Sequence, residues 1–255
     1  MGELRAGSGP RVAPRALWLV ALLGLATFTP AARGDWRRST EINTNTAFTL
    51  EQGMVEVGFL APLTVGITDE FQAALHPILL LLGQPYVALR WRITRPGPVT
   101  VALNLGASWS FIRREDEQGQ AASETDPDSG FPGTTHATAT VTFRAGEDWL
   151  FSVGGGPGAD FLGTRTVRGL AELHASIHWR PDPRQVLMVQ ASGYLDLDAS
   201  GALTRPVLSL VYGFALTDVV YLAGGVGFGD FVFEPDEESR KTLHVFPIVD
   251  VGFRL

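Results

Sequence analysis

The part of the sequence that most restricts the fold is residues 54–255, a series of short runs in which apolar and polar residues alternate. Successive side chains of a β-strand point to opposite faces, so each run predicts a strand with one apolar and one polar face. Turn-forming residues separate the runs, and none of the runs shows the 3.6-residue period of an amphipathic helix. The sequence therefore predicts an all-β fold.

Four of the runs end in an aromatic residue that is followed directly by arginine. The pairs are Trp91-Arg92, Phe143-Arg144, Trp179-Arg180 and Phe253-Arg254. Because neighbouring residues of a strand face opposite ways, one face would carry a band of aromatic rings and the other a band of guanidinium groups at a similar height. Aromatic rings outside and polar groups inside are the pattern of a membrane-spanning β-barrel. We predict that Trp91, Phe143, Trp179 and Phe253 form one interfacial aromatic belt.

The run 99–112 is longer than the strands of a soluble sandwich, which usually have about 5 or 6 residues. Its apolar face ends in Trp109 and Phe111, as expected for an outward apolar band bounded by interfacial aromatics. The same parity recurs in 86–94, 136–145, 167–180 and 185–196. We therefore expect the apolar faces to contact lipid.

Tight turns and longer connections alternate along this region. The tight ones are Thr68-Asp69, 95–98, 146–148, 181–183 and Thr217-Asp218, and the longer ones are 113–135, 156–166, 197–204 and 230–242. Outer-membrane barrels have short periplasmic turns and longer outer loops. We predict an antiparallel up-and-down barrel of 12 strands over residues 54–255, with 54–68 folded as a hairpin at Ala61-Pro62 and ten strands as the alternative. Residues 78–82 are apolar on both faces and do not fit this alternation.

The N-terminus has the pattern of an export signal. Three arginines precede an apolar run at 16–28, and the small residues Ala32 and Gly34 stand where a signal peptidase requires them. The apolar run is shorter than the roughly 20 residues with which a helix spans a bilayer. We predict that residues 1–34 are a cleaved signal peptide and that the polar residues 35–53 are a periplasmic segment leading into the barrel.

The final run resembles the C-terminal strand of Gram-negative outer-membrane β-barrel proteins. Its alternate positions are Val245, Pro247, Val249, Val251, Phe253 and Leu255. In that class the strand ends in an aromatic residue and serves as an assembly signal, whereas this chain ends in Leu255. The resemblance implies an integral outer-membrane protein. Its expected partners are the barrel assembly machinery, outer-membrane lipids and lipopolysaccharide.

Composition excludes several other classes. The formal charge of -7 and the pI near 5.2 argue against a nucleic-acid partner, since a basic surface is needed to neutralise phosphate. The chain has no cysteine, so disulfides and thiolate metal sites are excluded. We expect no cofactor, and the sequence leaves the oligomeric state open.

The polar face of the runs supplies the candidate residues of the lumen. They are Arg90, Arg92, Arg144, Glu172, His174, His178, Arg180, Asp250 and Arg254. The arginines could form a basic collar that favours anions, as basic rings do in pores. Alternatively, they could pair with Glu56, Glu172, Asp196 and Asp250 in a network that fills a narrow lumen.

These residues favour a narrow passive channel or small-solute transporter with an arginine-rich periplasmic mouth. The alternative is a structural or surface-interaction barrel with a plugged lumen. A barrel of 8 strands is filled by side chains and one of 16 encloses a channel, so the predicted size lies between these cases.

A catalytic function has less support. Ser176 lies between His174 and His178 on one face, an arrangement similar to the His-x-Ser of outer-membrane phospholipases and deacylases. Parity points these residues into the lumen, whereas a lipid-cleaving site must meet acyl chains at the outer wall, so we expect no enzyme. His136 and His244 could join His174 and His178 in a metal site, but they belong to different strands, and we expect none.

Two other features have ordinary interpretations. The glycine clusters 154–158 and 224–229 are not followed by helices, so we interpret them as strand glycines that permit close packing rather than as phosphate loops. The acidic loop 113–135 is predicted to be solvated. Divalent-cation bridging to lipopolysaccharide is the alternative for this loop.

Overall fold

A computed structural model describes residues 45–58, 61–111, 133–161, 167–197, 203–229 and 244–255. Within these ranges twelve antiparallel strands form a closed barrel, in which each strand pairs with its neighbours in sequence and the first pairs with the last. The predicted 12-strand barrel is therefore confirmed. The predicted signal peptide and most of the acidic loop lie outside the described residues.

The strands differ in length around the barrel. In chain order they are β1 (Val55–Gly58), β2 (Leu63–Thr68), β3 (Phe71–Leu75), β4 (Tyr86–Arg92), β5 (Val99–Trp109), β6 (Gly133–Ala145), β7 (Trp149–Phe161), β8 (Val167–Asp182), β9 (Gln185–Asp196), β10 (Leu203–Ala215), β11 (Val220–Gly229) and β12 (His244–Arg254). A tilted strand needs about 9 to 11 residues to cross a bilayer. Strands β5 to β12 have 10 to 16 residues and meet this requirement, whereas β1 to β4 have only 4 to 7.

Strand β7 extends further than the sequence indicated. It continues to Phe161, so the first half of the connection predicted at 156–166 is strand. Glycine has no side chain and is neither clearly apolar nor clearly polar, so the glycine-rich residues 154–158 show no alternation in the sequence. Their backbone nevertheless continues to pair with β8.

A short helix, α1 (Pro77–Leu81), accounts for the break in alternation at 78–82. Pro77 stands in the first turn, where its missing N–H is not needed, and His76 caps the turn by accepting from Leu79 N at 3.4 Å. Leu81 is 86% exposed. Among the described residues, no helix is both long enough and apolar enough to cross a membrane.

The exterior of the barrel is apolar between two levels of aromatic rings. At the level of the short turns, Trp91, Phe143 and Trp179 are 40% to 53% exposed on the outer wall, and Phe253 is half-buried there. Toward the outer loops, Trp109 and Phe161 are similarly exposed. Aliphatic side chains fill the outward positions between these levels. Such a surface suits the hydrocarbon layer of a membrane with aromatic rings at its interfaces.

The barrel closes between β1 and β12. The strands pair through Glu56 with Arg254, Val57 with Phe253 and Gly58 with Gly252. Val55 and Leu255 exchange two backbone hydrogen bonds of 2.8 Å at the end of the barrel that carries the short turns. The described closure is thus short compared with the pairing of β11 with β12, which continues to His244.

Candidate functional site

The segment before β1 enters the lumen. Residues 46–50 are each 0% or 1% exposed. We call residues 45–50 the plug. The sequence analysis placed 35–53 in the periplasm, whereas the structure places residues 46–50 inside the barrel; residues 35–44 lie outside the described ranges.

Side chains from several strands hold the backbone of the plug. The hydrogen bonds run from Ala47 N to Thr142 Oγ1 (2.7 Å), from Leu50 N to Gln72 Oε1 (2.9 Å), from Arg90 Nη1 to Phe48 O (3.0 Å) and from Ser176 Oγ to Asn45 O (3.0 Å). These partners lie on β3, β4, β6 and β8, and apolar residues of β7, β9 and β10 contact the plug from the other side, so its residues share no single apolar face. A segment of this kind has no hydrophobic period, which is why its sequence was interpreted as a polar extension.

Phe48 anchors the plug on the apolar side of the lumen. It packs in a buried cluster with Leu150, Val186, Met188, Val211 and Ala215. The Arg144 guanidinium carbon lies 5.7 Å from the centroid of the Phe48 ring, within the range of a cation–π contact. Burial of such a ring contributes about 2 kcal/mol relative to leaving it in water.

The opposite side of the lumen contains a polar cavity of about 330 Å³. Asn45 of the plug contributes to its lining. The charged, hydroxyl and amide side chains that line the remainder are Glu56, Thr64, Gln72, Tyr86, Arg90, Asn104, His136, Thr138, Thr140, Glu172 and His174. Of these residues, the sequence predicts Arg90, Glu172 and His174 as lumen candidates, and it also indicates Glu56 for an ion-pair network and His136 for a metal site. The others have ordinary polar side chains, and the register of the strands brings them together.

Glu172 lies between two imidazoles in this cavity. Its Oε2 is 3.5 Å from His136 Nδ1, and its Oε1 is 3.5 Å from His174 Nδ1. The three side chains are 10% to 18% exposed. His174 Nε2 lies 2.9 Å from the hydroxyl oxygen of Thr140. We call His136, Glu172 and His174 the histidine–glutamate cluster.

A wall glycine makes room for each imidazole. Gly106 is the cross-strand partner of His136, and Gly154 is the cross-strand partner of His174. A Cβ at either glycine would overlap the Nε2 atom of the facing ring. Gly154 therefore has the packing role that the sequence predicted for its cluster, and its neighbour is the imidazole of a candidate lumen residue.

The four arginines of the predicted collar all face inward but have different surroundings. Arg254 Nη2 lies 2.8 Å from Glu56 Oε2. Arg180 is 0% exposed and donates to the carbonyl of Glu147. Arg144 lies against the plug, and Arg92 is 6% exposed.

The acidic residues that were predicted to pair with these arginines also have different surroundings. Glu56 pairs with Arg254, as that interpretation required. Asp196 instead lies 3.4 Å from Arg168, and Glu172 lies between imidazoles. Asp250 lies beside Gly58 at the closure of β1 with β12. Among the arginines of the collar, Arg254 therefore forms an ion pair with Glu56, whereas Arg144 lies against the aromatic ring of Phe48.

The residues considered for catalysis are not arranged as a nucleophile and its base. Ser176 is 3% exposed and donates to the plug carbonyl of Asn45, and His174 contacts Thr140. His178 is 0% exposed on the same strand, β8. Within the described ranges, no three His, Asp or Glu side chains are grouped so that they could hold a metal ion, and His244 stands apart at the outer end of β12.

No protein-family model matches the sequence, and no curated protein matches it. Two solved structures of OmpT, an outer-membrane protein of Vibrio cholerae, are similar to it at 12% identity. The outer-membrane expressed form has a TM-score of 0.47 over 87% of this chain and 72% of that chain. The form folded in vitro has a TM-score of 0.40 over 89% and 69%. We transfer no residue role from either.

Membership of a structural class follows from the barrel itself. The described strands close without a free edge at the first and last strands, the outward face is apolar, and aromatic rings mark its two margins. Closed barrels satisfy the backbone of each strand by pairing, as the interior of a bilayer requires. The described part of the chain is therefore a membrane-spanning β-barrel, the architecture of integral outer-membrane proteins.

Proposed function

We propose that the protein is a narrow outer-membrane channel for small solutes and that its plug closes the passage. The burial of residues 46–50 in the lumen, next to a cavity of about 330 Å³, is the observation that carries this proposal. The hydrogen bonds of the plug contribute about 1 kcal/mol each, and water can replace them one at a time. The plug is therefore a removable barrier rather than part of the wall.

The collar provides selectivity once the plug leaves. Phe48 covers the Arg144 guanidinium in the closed state, so the charge of Arg144 becomes exposed to the lumen when Phe48 leaves with the plug. Arg92 faces the same end of the lumen, whereas Arg254 stays neutralised by Glu56. Basic groups at a constriction favour anions, and the proposed open channel is accordingly anion-selective.

The proposal can be tested by locking the plug in place. Because the chain has no cysteine, the pair Ala47→Cys and Thr142→Cys introduces the only two thiols. Ala47 N lies 2.7 Å from Thr142 Oγ1, so the two residues are direct neighbours, and loss of both free thiols on oxidation reports that the disulfide has formed. In planar bilayers we expect no conductance from the oxidised variant and reversible conductance after reduction. The single variant Thr142→Cys is the matched control and should respond to neither treatment.

A second candidate is a closed structural barrel, which the packing of Phe48 in its apolar cluster favours. The two candidates differ when the anchor is removed by Phe48→Ala. If this variant folds, as judged by heat-modifiable gel migration, and still passes no ions, the channel proposal is wrong and the structural barrel is supported. Neither candidate includes a catalytic step.

A further inference from the structure

A line of hydrogen bonds connects the plug with the histidine–glutamate cluster. Arg90 donates from Nη1 to Phe48 O (3.0 Å) and from Nε to Asn104 Oδ1 (2.7 Å). Asn104 Nδ2 donates to Thr140 Oγ1 (2.9 Å), which lies 2.9 Å from His174 Nε2. The carbonyl of the plug is thus linked to the cluster through three intervening side chains.

The ring of His174 sets the direction of this line. Its Nδ1 lies 3.5 Å from Glu172 Oε1, so a neutral ring that carries its proton on Nδ1 has Nε2 as an acceptor. The Thr140 hydroxyl then donates to Nε2, and each bond from Arg90 onward is donated toward the carboxylate. Hydrogen bonds aligned in one direction polarise and strengthen one another.

A proton on His174 would disturb the line in three ways. Nε2 becomes a donor, so the Thr140 hydroxyl loses its acceptor and that bond reverses. The imidazolium attracts Glu172 more strongly, which shortens the 3.5 Å separation and draws the ring away from Thr140. The new charge also repels the Arg90 guanidinium, which lines the same cavity. The repulsion acts directly on the bond from Arg90 to the plug, and the first two effects loosen the side chains that position Arg90.

We propose that the histidine–glutamate cluster is a proton-binding site that controls the plug. Uptake of a proton by the imidazole pair releases Arg90 from Phe48 O and favours the open lumen. Acidification is the signal, because an imidazole that takes up a proton gains a positive charge. This regulation rests on the gating proposed above and assigns its ligand.

The charged and titratable groups around the imidazoles come from four strands. They are Glu172 and His174 on β8, His136 on β6, Tyr86 and Arg90 on β4, and Glu56 on β1. Glu56 is paired with Arg254 at 2.8 Å, so Glu172 is the carboxylate that interacts directly with the imidazoles. When both imidazoles are charged, the positive groups of the cluster and Arg90 outnumber this carboxylate.

The movement of the plug can be measured without measuring conductance. Ala47 is 0% exposed, and Ala47→Cys in this cysteine-free chain is a single buried reporter for a water-soluble maleimide. Its labelling rate is divided by that of Gln52→Cys, which is exposed, to remove the effect of pH on thiol reactivity. Between pH 7.5 and 5.5 we expect the ratio to rise about tenfold, as for the loss of one hydrogen bond from a charged donor.

The variants identify the proton site. The double change His136→Asn with His174→Asn should make the ratio independent of pH. His178→Asn removes an imidazole from the same strand outside the cluster and should preserve the rise. A pH-independent ratio in the parent reporter, or an equal rise in the double variant, would overturn the proposal. Heat-modifiable migration of every variant shows whether its barrel is folded.

The two proposals can fail separately. A pH-dependent labelling ratio without conductance at any pH would leave the proton site intact and remove the channel. Conductance with a pH-independent labelling ratio would keep the channel and remove the proton site.

Discussion

The two sides of the lumen hold the same short segment by different interactions. On the side of β7 to β11, apolar side chains surround the ring of Phe48. On the side of β3 to β8, hydrogen bonds from individual side chains fix the backbone of the plug. Apolar contact is non-directional and does not depend on protonation, whereas hydrogen bonds specify position and respond to charge. The apolar contacts therefore determine how strongly the plug is held, and the hydrogen bonds determine how its release is controlled.

The largest expected effect comes from the apolar side. Phe48→Ala removes a ring that is 1% exposed and should cost about 3 to 5 kcal/mol of stability, the usual range for truncation of a buried aromatic residue. Urea unfolding in lipid vesicles measures this change. Phe111→Ala, which truncates a ring that is 58% exposed on the outer wall, is the control. Equal losses in both variants would contradict the anchoring role of Phe48.

The next largest loss of stability is expected on the polar side of the lumen, from a substitution of the glycine that faces His136. Gly106→Ala places a methyl group where the imidazole lies and should destabilise the barrel by about 1 to 3 kcal/mol, as overpacking generally does. The matched control is Gly224→Ala, because no atom lies within 4 Å of a Cβ at that position. If the urea midpoints of Gly106→Ala and Gly224→Ala agree within experimental error, the imidazole of His136 has no fixed position.

A smaller effect is expected from one hydrogen bond of the plug. Thr142→Val keeps the shape of the side chain but leaves Ala47 N without its acceptor and removes the 2.9 Å hydrogen bond with Ser152 Oγ, which together should cost about 1 to 2 kcal/mol. The labelling rate of Ala47→Cys in this background should rise by a corresponding factor. Thr135→Val changes an exposed outward position of the same strand and should leave the rate unchanged. If both variants label alike, the polar side does not determine the position of the plug.

The smallest effect concerns selectivity after release. Replacing Arg92 and Arg144 with glutamine should lower the preference of the open channel for anions by less than about tenfold, because water and salt screen charges in a wet passage. Reversal potentials in a chloride gradient measure the preference. Arg168→Gln, at a side chain that is 42% exposed and paired with Asp196, serves as the control. An unchanged reversal potential in the double variant would remove the collar from the proposed mechanism.

Features that repeat along the chain could be predicted from sequence. The period of two determined which faces are apolar, and the spacing of turns determined the number of strands. The plug could not be predicted, because its residues contact the lumen on several sides and therefore carry no period. The break at 78–82 had a local cause that a search for alternation does not detect, namely the capping of α1 by His76 and the presence of Pro77.

The cavity shows a second reason for incomplete prediction. Parity predicts that His174 faces inward, and His174 lines the polar cavity. The contacts of His174 with Thr140 and of His136 with Glu172 depend on register and on side-chain geometry. The sequence of a single strand specifies neither the register nor the side-chain geometry, because it does not define which residue of the neighbouring strand lies opposite. Candidate residues could therefore be identified singly, whereas their grouping required the barrel.

The glycines opposite the imidazoles have a consequence for how such a chain can change over generations. Gly106 accommodates a larger side chain once His136 has become smaller, because the nearest atoms to an added Cβ belong to the His136 ring. At Gly154 the backbone carbonyl oxygen of Ala139 would also lie 2.5 Å from an added Cβ, so loss of the His174 ring alone does not make room there. Substitutions of Gly106 and His136 should therefore occur together among descendants of one ancestor. The order of events along each lineage should begin with loss of the imidazole, so a lineage that keeps both histidines should also keep both glycines.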